Sequence, residues 1–178
     1  MWPFSKTKKI TVGYHDSVSI KAEEEQAVST VFGSTNNFSK ELQNVHTLWG
    51  QCINFDGEVR NALSTLEGNK MFKNDPLIAE ANKNLLSDAK KVLNQCDGML
   101  DIINKYGLDV AGLEEKRLKV MEILNKKSDS VFLSDFLTSF CSMTNGVIGS
   151  SNGDPLKKKE IEEWKTNIAK LKTAPELK

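Results

Sequence analysis

Two histidines, His15 and His46, are the side chains best suited to acid–base or metal chemistry. His15 is followed by Asp16, but adjacent side chains on a helix or strand point apart, so the pair is poorly placed as a base with its orienting acid. Neither histidine has a second ligand at the His-x-x-x-His or Glu-x-x-His spacing of helical metal sites. The histidines therefore predict neither catalysis nor metal binding.

The three cysteines, Cys52, Cys96 and Cys141, offer thiol chemistry but no motif. Their number is odd and no Cys-x-x-Cys occurs, which disfavours a disulfide framework or a zinc site. Each lies in or beside a periodic column of apolar residues, where a buried free thiol is the usual outcome. This usage fits a reducing compartment, so we expect a cytoplasmic protein.

The acidic clusters and glycine-rich segments also lack the patterns of known active sites. The clustered acids fall mostly opposite the apolar stripes and indicate a solvated face: they are Glu23, Glu24, Glu25, Glu160, Glu162 and Glu163. The segment 149–153 lacks the Gly-Lys-Ser/Thr ending of a phosphate-binding loop, and no Gly-x-Ser-x-Gly elbow occurs. We therefore expect no enzyme, no cofactor and no small-molecule substrate.

Length and charge set the outer limits. The chain has 178 residues, of which 39% are apolar, and its 24 basic residues balance 24 acidic ones. That length and composition are typical of one globular domain. A net charge of zero disfavours a general nucleic-acid binder.

The element that dominates the pattern is a column of apolar residues spaced by seven. It comprises Val31, Phe38, Val45, Cys52, Val59 and Leu66. Seven residues make almost two helical turns, so only a helix keeps these side chains on one face. The column predicts one helix of about 45 residues, about 70 Å long. It would begin near residues 16–19 and end near Gly68, and the poor helix formers at 33–37 would weaken or bend it.

A second helix is predicted from Asp75–Pro76, an N-cap followed by a first-turn proline, to Tyr106–Gly107. Its predicted core-facing stripe comprises Ile78, Ala79, Leu85, Leu86, Ala89, Val92, Leu93, Cys96, Met99, Leu100 and Ile103. A third helix is expected from Asp109, and a fourth, separate or continuous with the third, after Ser128. A last helix is expected between Asp154–Pro155 and Ala174–Pro175.

The predicted fold is all-α, an antiparallel bundle of four or five helices in which the first is much the longest. Residues 1–15 would form an apolar and basic arm without regular structure, residues 16–173 the bundle, and residues 174–178 a short tail. An overhang of the long first helix would leave an apolar stripe that a second copy or a partner chain must cover.

Two groups of residues are candidates for contacts. In the arm, Trp2, Phe4, Lys6, Lys8 and Lys9 suit a membrane interface, an acidic protein groove or a cap folded back on the bundle. The candidate helix-packing interface comprises Val31, Phe38, Val45, Trp49, Val59, Phe132, Phe136 and Phe140. The phenylalanines step by four, which is more typical of core than of interface.

These observations favour a non-enzymatic helical interaction protein, an adaptor or assembly component that acts through helix packing. Its partner would be another protein or a second copy of itself. The alternative is a peripheral membrane-associated protein or effector, docked by residues 1–9, and therefore cytoplasmic but located at a membrane surface.

Overall fold

The computed structural model of the chain describes residues 7–11, 17–125 and 158–178. This part of the chain is mostly helical, as the sequence predicts. The elements are β1 (Thr7–Thr11), β2 (Ser17–Lys21), α1 (Ala22–Phe32), α2 (Thr35–Met71), α3 (Pro76–Asn125), α4 (Lys158–Lys172) and a 3₁₀ turn (Pro175–Leu177). The predicted fourth helix and the phenylalanine stripe at 132–140 lie outside the described residues.

Strands β1 and β2 form a two-stranded antiparallel sheet, with Thr7 opposite Lys21 and Thr11 opposite Ser17. The predictions of an irregular arm at 7–11 and of a helix start near Ser17 or Ser19 are therefore wrong. A strand is stable only when a neighbouring strand forms hydrogen bonds with its backbone N–H and C=O groups. For β1 that neighbour is β2, whose Ser17 and Ser19 resemble helix N-caps in the sequence. Ile10 and Ile20 are buried.

Helix α1 begins only at Ala22, because the Lys21 backbone N–H donates to the Glu24 carboxylate, at 2.8 Å. Glu23, Glu24 and Glu25 then occupy the first turn, where the helix dipole favours acids. The prediction of one continuous first helix is wrong, because α1 ends at Phe32. Gly33 has φ +84°, a backbone conformation that interrupts a helix and that glycine tolerates best.

The seven-residue column predicted for the first helix is nonetheless inside the protein. Phe38, Cys52 and Val59 have no exposed surface, and Val45 and Leu66 are 4% and 3% exposed. The remaining member, Val31 on α1, is only half-buried, and the buried apolar residues of α1 are Ala27, Val28 and Phe32. The helical period therefore identifies the buried face of α2 but does not carry it across the interruption at Gly33.

Helix α3 begins at Pro76, as predicted, and the Leu77 N–H donates to the Asp75 side chain at 3.0 Å. It does not end at Gly107 but continues to Asn125, so at 50 residues it is longer than α2 at 37. The apolar stripe continues past the glycine through buried Val110 and Leu113. An uninterrupted stripe stabilises the helix more than one glycine destabilises it.

Contacts divide the chain into two compact units. One contains the described residues of 1–49 together with 108–125, and the other contains 50–107 together with 158–178. In the first, Lys116 pairs with Glu41 at 2.5 Å and Asn44 donates to Asp109 at 3.0 Å. The α2 and α3 segments of this unit are therefore antiparallel.

In the second unit, α4 joins segments of α2 and α3. The Tyr106 and Trp164 rings lie 5.9 Å apart, and Lys172 reaches Asp97 at 2.5 Å, so α4 runs antiparallel to α3. Asn167 donates to Asp56 of α2 at 3.3 Å. Beyond α4, Ala174 and Leu177 of the predicted tail are buried.

The glycines give a matched stability test. A Cβ at Gly57, inside α2, would meet no atom within 4 Å. Gly57→Ala should therefore raise the free energy of unfolding by about 0.5 to 1 kcal/mol, because alanine loses less entropy in a helix. Gly33→Ala should lower it by about 1 to 2 kcal/mol, because alanine is strained at positive φ. Chemical denaturation would measure both; a stabilising Gly33→Ala would contradict the interruption between α1 and α2.

Candidate functional site

The turn that joins α2 to α3, at residues 72–75, is closed tightly by its own backbone. The Phe72 N–H donates to the Gly68 carbonyl at 3.2 Å, and the Asp75 N–H donates to the Phe72 carbonyl at 3.0 Å. Asp75 then caps α3, and Pro76 occupies its first position without needing a hydrogen bond. The local sequence thus determines a compact turn between the two helices.

Large apolar side chains are exposed at this turn and along the start of α3. Met71 is 78% exposed and Leu77 is 88% exposed, while Phe72 and Leu85 are each 47% exposed. Ala81, one helical turn from both Leu77 and Leu85, is also exposed. We call Met71, Phe72, Leu77, Ala81 and Leu85 the turn surface. Clustered exposed apolar side chains of this size are typical of contact sites.

Only a narrow stripe of side chains is buried along the start of α3. From Pro76 to Gln95 the only buried side chains are Asn82 and Ala89, which are seven residues apart. The same column continues through buried Cys96 and Ile103. Ala79 and Leu85, which the sequence places in the core-facing stripe, are both exposed, and Leu85 lies beside this column at 47% exposure. That part of the prediction is wrong.

The charges around the turn surface are mixed. Lys70 lies 3.4 Å from Glu67 and 3.7 Å from Glu176. Lys91 pairs with Asp88 at 2.7 Å, and both side chains are well exposed. Exposed pairs like these contribute little to stability.

Two clefts are alternative candidates for a site. The cleft of the first unit, about 290 Å³, is lined by Glu41, Asn44, Val45, Leu108, Asp109, Gly112, Leu113 and Lys116. Its Glu41 carboxylate is paired with Lys116, and its Asp109 carboxylate accepts from Asn44. The Lys116 ammonium also lies 5.2 Å from the centre of the Phe32 ring. Paired in this way, the charged groups of the cleft are structural contacts.

The cleft of the second unit, about 470 Å³, lies between the end of α2 and the C-terminal 3₁₀ turn. Its lining residues are Leu63, Ser64, Leu66, Glu67, Lys70, Lys170, Thr173, Ala174, Pro175 and Glu176. None of these lining residues is a histidine or a cysteine. Among residues 7–11, 17–125 and 158–178, no three potential metal ligands cluster.

Of the helix-packing residues proposed from the sequence, those that the structure describes lie mostly inside the chain. Phe38, Val45, Trp49 and Val59 are each at most 4% exposed, and Val31 is half-buried. Because these side chains pack within the chain, a partner cannot reach most of them. The turn surface is thus a different set of residues from the predicted interface.

The predicted N-terminal contact residues are only partly described. Trp2, Phe4 and Lys6 lie outside the described residues. Lys8 is exposed and pairs with Glu25 of α1 at 2.5 Å, and Lys9 is exposed on β1. His46 is an exposed residue of α2.

Two of the cysteines are buried free thiols, as predicted, and Cys141 lies outside the described residues. Burial removes water from the Cys52 thiol and raises its pKa to about 12. Burial is also the main cause that raises the pKa of Cys96, although Lys172 opposes it. Both thiols stay protonated at neutral pH and are therefore weak nucleophiles.

The turn surface has a signal in the sequence that helical periodicity does not capture. Met71 and Phe72 come shortly before the helix start at Asp75–Pro76, separated from it by two residues, and Leu77 directly follows it. Large apolar residues on both sides of a short turn have few neighbours within their own chain. The helical period alone could not identify Leu85, because it occupies the same phase as half-buried Val92.

Comparison with known proteins adds no relative, since no family model, curated protein or solved structure matches this chain. Within the described part of the chain, no helix is both long and apolar enough to span a bilayer.

The exposure of the turn surface can be tested by stability. Leu77→Ala should change the free energy of unfolding by less than about 0.5 kcal/mol, because Leu77 makes little contact. Leu66→Ala, six residues before the turn on α2, should lower it by about 2 to 5 kcal/mol, because Leu66 is buried. If urea denaturation gave the same loss of unfolding free energy for Leu77→Ala and Leu66→Ala, Leu77 would be buried in solution.

The Cys52 thiol should make stability depend on pH in the alkaline range. An unfolded thiol loses its proton at about pH 8.5, whereas the folded one keeps it to about 12. In this window the folded state binds more protons, so the free energy of unfolding falls as pH rises, by about 1.4 kcal/mol per unit for this group. The free energy of unfolding of Cys52→Ala should fall less steeply with rising pH than that of the wild type. Parallel curves of unfolding free energy against pH for the two proteins would contradict the raised pKa.

Proposed function

We propose that this chain is a non-enzymatic helical interaction protein, an adaptor or assembly component, which contacts its partner through the turn surface. The observation that carries the proposal is the exposure of Met71 and Leu77, at 78% and 88%, on a helical scaffold. Apolar side chains that cluster in water on a rigid element contribute more to binding than to folding.

We further propose that the helices form an antiparallel bundle that serves as the rigid scaffold for this surface. Three observations support it: the antiparallel α2 and α3 segments of the first unit, the antiparallel α3 and α4 of the second, and the buried columns of both long helices. A surface held by packed helices loses little conformational freedom when it binds.

The partner is another protein or a second copy of the chain, in a cytoplasmic setting. Balanced charge beside the turn favours a protein surface over an anionic lipid surface, since Lys70 and Lys73 are offset by Glu67 and Asp75. Docking by the N-terminal arm stays a prediction, because Lys8 is already paired with Glu25 and the apolar residues of the arm are not described.

Site-specific photo-crosslinking tests the proposal in cells that make the protein. A photoreactive amino acid at position 85 should give protein adducts, because Leu85 belongs to the turn surface. The same amino acid at position 118 is the matched control, since Leu118 is 56% exposed on the same helix but outside this surface. Equal labelling at both positions, or none at either, would contradict the proposed contact.

A further inference from the structure

We draw no further inference here: the strongest candidate, the exposed apolar ridge of Leu77, Ala81 and Leu85 on the first turns of α3, belongs to the turn surface already described, and nothing in the structure shows what covers it.

Discussion

Burial of one apolar column on each long helix is the constraint on which the structure depends. A helix of the length of α3 is not stable in water through its own hydrogen bonds alone, because ordering each residue costs conformational entropy. Burial of apolar side chains spaced by seven residues offsets this cost, as for Phe38, Val45 and Cys52 on α2. Ala89, Cys96 and Ile103 do the same on α3.

This use of the core determines what is left for function. The side chains with the strongest periodic pattern are inside the chain, and their packing leaves no surface for a partner. Two of the most exposed large apolar side chains, Met71 and Leu77, lie where the chain reverses between α2 and α3. Hydrogen bonds close the turn, since Asp75 caps α3 and the Phe72 N–H donates to the Gly68 carbonyl.

Local signals and long-range pairing compete at several boundaries. Ser17 and Ser19 are good helix caps, yet their segment pairs with β1 and the helix begins at Ala22. Gly33 interrupts the first helix, whereas Gly107 does not end the third. A buried apolar stripe follows both glycines, and the difference lies in the backbone: Gly33 adopts positive φ, whereas α3 stays helical through Gly107. Glycine alone therefore does not identify a helix end.

The sequence by itself determined the helical class, the phase of the buried columns, the start of α3 at Asp75–Pro76 and the burial of Cys52 and Cys96. These follow from the helical period and from capping chemistry, both of which are local. Only the tertiary structure decided the strand pairing, the length of α3 and the exposure of Leu77 and Leu85. The period shows which residues share a face of a helix, but whether that face meets a neighbour or water depends on where the other elements end.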